Sequence, residues 1–187
     1  MRNAFGSALW AIDFLFDNAE NGSGGVNFHG GGAGQDGASP FMYTPIDEVN
    51  GVVTGAAPIF YGMLLVASAG TGNVLATMAD ASNLNFTAYA ISLPDGSTNV
   101  VLDNKDTTNA VQASVNIGKA ATAASGVFLN GPSLLATSGV TSPRRRLGGL
   151  QSERAVSAGG ELLEITTTQN RRGAGIVPRI GCFDREH

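Results

Sequence analysis

The residues that could do chemistry lie mostly in the first fifty positions, and His29 is the most informative of them. It stands at the end of a predicted strand, just before a run of glycines, and ligand-contacting residues of barrel enzymes lie at strand ends. A lone histidine is more often a hydrogen-bonded structural residue, and no second ligand lies at metal-binding spacing. We expect His29 either to line a substrate pocket or to be structural, with no metal ion and no cofactor.

Residues 32–37 match the G-x-G-x-x-G pattern of dinucleotide-binding loops and follow the same predicted strand. A nucleotide site also requires a helix to begin at the third glycine, so that its N-terminus faces the pyrophosphate. Pro40 and Pro45 follow instead, and a glycine-rich region matches this pattern by chance. The match therefore does not predict nucleotide binding.

Carboxylates form two close pairs in this part of the sequence. Asp13 and Asp17 are one helical turn apart, and Asp47 is adjacent to Glu48. Acid/base catalysis on a sugar needs carboxyl groups that face each other across the substrate. We interpret the first pair as a solvated helix face and the second as a solvated or capping pair.

Composition places the chain among globular proteins rich in β-structure. Of 187 residues 43% are hydrophobic and 14% are charged, and 26 are glycine; soluble domains carry about 25% charged residues. Residues 1–142 have a net charge of −7 and residues 143–187 one of +3. An acidic body makes nucleic acid an unexpected partner. The change of sign indicates a domain boundary, a basic tail or a segment of different origin.

Cys182 is the only cysteine, which excludes an intrachain disulfide. The sequence begins without a signal-peptide pattern. Its longest apolar run, residues 56–69, is shorter than the roughly 20 residues of a membrane-spanning helix. We expect a buried helix there and no membrane span.

Two different periodicities divide the chain. Apolar spacing predicts helices over residues 4–20 and 57–69, with a strand over 25–29 between them. This is the closing unit of an α/β fold, and such a unit cannot bury its own strand.

From about residue 73 the period becomes two, which predicts short antiparallel strands typical of a sandwich. Strands are expected over 84–90, 100–102 and 111–117, with a turn at 94–96. Alternation returns only over 162–168, and residues 171–187 have no clear period.

Several linked motifs together resemble glycoside hydrolase family 79, which includes β-glucuronidases and heparanase-like enzymes. The resemblance covers roughly residues 2–141, and the later motifs look like those of bacterial members. Its motifs are residues 8–16, 25–32, 43–46, 61–62 and 131–135.

The resemblance implies a mixed fold in which a closing helix-strand-helix segment of a (β/α)8 barrel precedes an antiparallel β-sandwich domain. Residues 1–72 would be the end of the catalytic barrel and residues 73–142 the carboxy-terminal β-sandwich domain. Residues 143–187 would be a basic irregular tail or a divergent continuation of the β-domain.

The implied activity is hydrolysis of β-glucuronides with retention, by two glutamates that the resemblance places upstream. No residue here matches either glutamate, so the chain alone is not expected to be catalytic. Tyr43 matches the tyrosine that contacts the sugar carboxylate, and His29, Gly30 and Gly31 belong to the same substrate-binding loop. The implied ligand is a glucuronic-acid-containing carbohydrate, the implied location is secreted or periplasmic, and uncovered barrel helices would favour self-association.

A second hypothesis comes from a different class of protein. The chain could be a non-catalytic β-sandwich module that binds carbohydrate or has a structural role. The two hypotheses differ in whether a catalytic barrel precedes these residues.

Overall fold

The computed structural model describes residues 4–29, 44–109, 111, 113–118, 123–141, 163–165 and 174–181. Two helices and antiparallel sheets make up this part of the chain, and no barrel is closed within it. In chain order the elements are α1 (Gly6–Glu20), β1 (Ile46–Val49), β2 (Val52–Ala56), α2 (Pro58–Ser68), β3 (Asn73–Leu75), β4 (Phe86–Ser92), β5 (Thr98–Asn104), β6 (Ala113–Val115), β7 (Ala123–Asn130), β8 (Leu163–Ile165) and β9 (Ala174–Gly181).

Helix α1 confirms the strongest prediction from periodicity. It has no side-chain N-cap, although the first N–H groups of a helix lack partners within it. Those of Phe5 and Gly6 donate instead to the carbonyls of Ala136 and Leu134, at 2.7 and 2.8 Å. The segment after β7 therefore holds the start of α1.

Helix α2 is also confirmed. Pro58 lies in its first turn, where the missing N–H of a proline removes no helical hydrogen bond. It crosses α1 closely at Gly62. A Cβ added to Gly62 would lie 2.9 Å from the Cα of Ala8 and closer still to the Ala8 carbonyl oxygen. Only glycine allows the two backbones to approach to this distance.

A short hairpin, β1–β2, directly precedes α2, where the apolar spacing predicts no strand. Asn50 and Gly51 both have positive φ, as the tight turn of a two-residue hairpin requires. The Glu48 carboxylate accepts a hydrogen bond from the Gly51 N–H at 2.9 Å. Asp47 and Glu48 thus lie in β1, and Glu48 helps to close its turn.

The predicted strand over residues 25–29 is wrong, because this segment has no regular structure. A strand of a barrel needs partners on both edges for its N–H and C=O groups. None of the described strands pairs with these residues. The apolar alternation of Val26 and Phe28 was therefore not enough to form a strand.

The main sheet has five antiparallel strands in the order β3-β4-β5-β9-β7. The β4–β5 hairpin confirms the predicted strands, and its turn confirms the one expected at Pro94-Asp95-Gly96. Gly96 has φ +79°, and Asp95 accepts hydrogen bonds from the N–H and the hydroxyl of Ser97 at 3.0 and 2.5 Å.

Strand β9 is the main departure from the sequence analysis, because it arises from the range without a clear period. It inserts between β5 and β7, so residues 174–181 contribute a central strand. Its register with β5 pairs Asn99 with Arg179 and Leu102 with Ile176, and it is interrupted opposite Pro178. Proline cannot donate to a ladder, which accounts for the interruption.

The two faces of the main sheet pack against different partners. One face packs on α1 and α2 and forms the largest core cluster; the other packs on β6, which pairs with β8. The buried side chains of the first cluster are Phe5, Ala8, Leu9, Ile12, Phe16, Leu65, Ala69, Tyr89, Ile91, Val101 and Leu129. Those of the second are Ala90, Val100, Leu102 and Val115.

We predict that Gly62→Ala destabilises the protein by about 2 kcal/mol. Alanine is the better helix former by about 1 kcal/mol, but overpacking costs about 1–3 kcal/mol. The close approach to the Ala8 backbone places the cost here at the upper end of that range. Chemical denaturation measures the free energy of unfolding. Gly25→Ala is the control, because a Cβ there meets nothing within 4 Å. Equal stability of the two variants would contradict the close crossing.

Candidate functional site

The titratable side chains that come together in the described residues lie between α1 and the hairpin β4–β5. Asp13 leaves α1 towards the sheet, and its interpretation as part of a solvated helix face is wrong. Its Oδ1 accepts hydrogen bonds from the Thr87 hydroxyl at 2.6 Å and the Tyr89 hydroxyl at 2.8 Å. Helix α1 is thus joined to β4 by polar as well as apolar contacts.

The other two members of this cluster are Asp103 of β5 and Lys105, which directly follows the last residue of that strand. Val101 on the same strand is buried against the helices, and side chains two residues apart share a face of a sheet. Asp103 and Lys105 therefore emerge beneath α1 as well. The Asp103 side chain is fully buried, while those of Lys105 and Asp13 are 14% and 23% exposed.

The Lys105 ammonium lies at the centre of the cluster. Its Nζ is 2.9 Å from Asp13 Oδ2 and 3.5 Å from Asp103 Oδ2, and it donates to the Thr87 hydroxyl at 2.7 Å. One ammonium group thus contacts two carboxyl groups, one from α1 and one from β5. We call Asp13, Thr87, Tyr89, Asp103 and Lys105 the polar cluster.

Burial shapes the protonation of two members. Burial raises the pKa of the Asp103 carboxyl to about 8, opposed by the charge of Lys105 and reinforced by that of Asp13. The pKa of the Tyr89 phenol is raised mainly by burial, and further by its hydrogen bond to Asp13 and by the charge of Asp13. Tyr89 therefore stays protonated and donates to Asp13, because an ionised phenol beside a carboxylate would be repelled.

This geometry suits attachment of the helix better than sugar chemistry. A retaining glycosidase needs two carboxyls on either side of a substrate, about 5 Å apart. Here both carboxyl groups contact the same Lys105 ammonium. The polar cluster can store a proton and tie α1 to the sheet, and we assign it no role in glycoside cleavage.

The predicted substrate-binding residues are only partly described. His29 is exposed and ends an irregular segment rather than a strand. Tyr43, Gly30 and Gly31 lie outside the described residues, so their predicted roles stay predictions. The structure does not bring His29 together with the polar cluster.

The segment that leads to His29 is held against α1 by aromatic side chains. Trp10 stacks on Phe14 with ring centroids 4.9 Å apart, and Phe28 meets the two rings edge-on at 6.4 and 6.1 Å. We call these three side chains the aromatic patch. Trp10 is 51% exposed among the described residues.

The polar cluster was missed because its members are distant in the sequence. Asp13 and Lys105 are brought together only by the packing of α1 on the sheet. One signal was available: Asp103 lies two residues after Val101, on the same face of a strand that is buried along its whole length. A carboxylate at a core position, followed two residues later by a lysine, indicates a buried ion pair.

No family model matches the chain, and no curated protein matches it significantly. Within the described residues, no group of three or more His, Cys, Asp or Glu side chains could hold a metal ion. No helix in the same part of the chain is long and apolar enough to cross a membrane.

We predict that Tyr89→Phe lowers the free energy of unfolding by about 1.5 kcal/mol. The change removes one hydrogen bond to a charged acceptor, and such bonds contribute about 1.5–3 kcal/mol. We expect the lower end of this range because the Asp13 carboxylate keeps its hydrogen bond from Thr87 and its ion pair with Lys105. Denaturant titration is the measurement, with Tyr61→Phe on α2 as the matched control. A loss no greater than that of the control would show that the Tyr89 hydroxyl contributes nothing.

Proposed function

We propose that this chain is the carboxy-terminal part of a retaining β-glucuronidase similar to glycoside hydrolase family 79. In this proposal α1, the loop after it and α2 are the closing unit of the (β/α)8 barrel, and the strands from β3 onward are the β-sandwich domain. The two catalytic glutamates come from residues that precede this sequence. The ligand is a glucuronic-acid-containing carbohydrate outside the cytoplasm.

The observation that carries the proposal is the meeting of motifs that lie far apart in the sequence. Residues 8–16, 61–62 and 131–135 each carry part of the resemblance, and all three meet around α1. Gly62 packs on Ala8, and a Cβ at Gly131 would lie 2.5 Å from the Phe5 ring. Leu134 packs against the same core cluster. Motifs that form one core support a common origin better than any of them alone.

The packing of the main sheet on β6 supports the proposed β-sandwich domain. The main sheet packs through Val100 and Leu102 against Val115 of β6, across an apolar cluster that Phe128 of β7 joins. Two sheets that share an apolar layer are the basis of a β-sandwich. The helices lie on the opposite face of the main sheet, as a β-domain beside a barrel requires.

Exposed apolar side chains on α1, α2 and β2 support the proposal that these elements belong to a barrel. Trp10 and Leu64 are exposed on α1 and α2, and Val52 and Val53 are exposed on β2. Exposed apolar groups of this kind mark surfaces that another domain or chain covers. The rest of a barrel would cover the outer sides of α1 and α2. Without it, we expect these surfaces to favour self-association.

The reading frame upstream of the Met1 codon tests this proposal directly. In-frame codons for a barrel with two glutamates would support it. A stop codon immediately upstream would contradict it and favour the second hypothesis, a stand-alone β-sandwich module that binds carbohydrate or has a structural role.

We predict that the purified chain releases no sugar from an aryl β-glucuronide. Loss of a catalytic nucleophile removes several orders of magnitude in rate, which binding residues cannot replace. Release of the chromogenic aglycone is the assay, with an intact β-glucuronidase as positive control. Turnover by the chain that Asp13→Asn or Asp103→Asn abolishes, in a folded variant, would contradict the proposal.

We predict that Tyr43→Phe in the full-length enzyme lowers kcat/KM at least about tenfold for a β-glucuronide, which corresponds to about 1.4 kcal/mol. The phenol would donate to the sugar carboxylate, and a bond to a charged group contributes about 1.5–3 kcal/mol. The matching β-glucoside lacks the carboxylate and is the control substrate, for which little change is expected. Equal losses on both substrates would leave Tyr43 a structural residue.

A further inference from the structure

The polar cluster contains one more negative charge than it can compensate. With both carboxyls ionised, Asp13 and Asp103 carry two negative charges against the one positive charge of Lys105. Asp103 is fully buried, and neither of its oxygens has a hydrogen-bond partner among the described residues. An ionised carboxylate in such a position is strongly disfavoured, because burial removes its hydration without replacing it.

A proton on Asp103 removes this imbalance. The cluster then contains one carboxylate, Asp13, and one ammonium, Lys105. The protonated Asp103 carboxyl gains a donor, and Asp13 accepts from it, which is one of the causes that raise the pKa of Asp103. Asp13 can accept this bond as well as those from Thr87 and Tyr89, since a carboxylate has about four lone-pair sites.

In the described strand pairings, no charged residue stands directly opposite Asp103. The register places Thr87 of β4 opposite it on one side and Gly175 of β9 on the other. The charged or titratable groups that face it are Asp13 from α1 and Lys105, just after its own strand, and Tyr89 of β4 stays protonated. Asp17 of α1 acts on Tyr89 rather than on Asp103.

We propose that Asp103 is protonated at neutral pH and donates a hydrogen bond to Asp13, and that loss of this proton in alkaline solution weakens the docking of α1 on the sheet. The effect arises because one lysine then has to compensate two carboxylates at the interface between helix and sheet. The polar cluster is thus a pH-sensitive joint between the helical layer and the β-structure. This inference does not depend on the glycosidase proposal.

The direction of the pH dependence follows from the two states of Asp103. In the unfolded chain it has its ordinary pKa of 3.8, whereas in the folded protein the pKa is about 8. Between these values folding takes up one proton, so the folded state is favoured by low pH. The stabilisation of the folded state by this proton is fully present below about pH 4 and is lost as the pH rises through about 8.

The experiment is chemical denaturation of the full chain from pH 4.5 to 9, followed by the fluorescence of Trp10, the only tryptophan. Asp103→Asn keeps the shape of the side chain without a titrating proton. We expect the folding constant of the wild type to fall about tenfold per pH unit relative to this variant up to about pH 8, the effect of one proton, and to level off above that pH. We also expect Asp103→Asn to be the more stable protein at pH 9.

The matched control is Asp17→Asn, which removes a carboxylate from the same helix and should keep the pH dependence of the wild type. Carboxyl ¹³C NMR of the wild-type protein is the second measurement, and one aspartate should titrate near pH 8. Parallel pH profiles of the wild type and Asp103→Asn would overturn the proposal. If Asp103→Asn fails to fold, the NMR titration decides, and an Asp103 carboxyl that titrates below pH 5 would overturn it.

Discussion

Helix α1 is packed on three sides at once, and the remaining elements depend on that position. Its buried face contacts α2 at Gly62 and the main sheet at Tyr89 and Val101, and its start is held by the carbonyls of Leu134 and Ala136. Helix α2 is also tied to the sheet, because the buried Asn99 side chain donates to the Ala69 carbonyl at 2.8 Å. Strand β5 and the residue after it thus anchor both helices, α2 through Asn99 and α1 through Lys105.

Apolar packing alone does not fix how a helix lies on a sheet, because burial of apolar surface has little directional preference. The polar cluster supplies that direction. Asp13 accepts hydrogen bonds from both Thr87 and Tyr89, and this constrains the rotation and the axial position of α1. Replacing a whole buried ionic group by apolar side chains is often neutral, whereas removing one partner is costly. The cluster therefore contributes to the specificity of packing more than to the total free energy of unfolding.

The sequence predicted elements whose signal is local. Helices α1 and α2 show the helical spacing of apolar residues, and β4–β5 shows alternation on both sides of a proline-aspartate-glycine turn. The structure confirms these elements. Strand β9 could not be found in this way, because Gly175, Pro178 and Gly181 weaken a strand pattern and its two partners come from distant parts of the chain.

The opposite error occurred at residues 25–29, where alternation was present but no neighbouring strand was available. The polar cluster has the same origin as β9. Asp13 and Asp103 are 90 positions apart in the sequence, and only tertiary packing brings them to one lysine. Helical spacing marked Asp13 as polar and off the apolar stripe, yet it could not show that β4 and β5 would cover that side of the helix.

The central claim is that Asp13 and Lys105 join α1 to the sheet, and a double-mutant cycle tests it most directly. The free energy of unfolding would be measured for the wild type, Asp13→Asn, Lys105→Met and the double variant. Residues in one ion-pair network show coupling energies of about 0.5–3 kcal/mol, and we expect at least about 1 kcal/mol of favourable coupling here. Additive effects, with a coupling energy within about 0.3 kcal/mol of zero, would contradict the account.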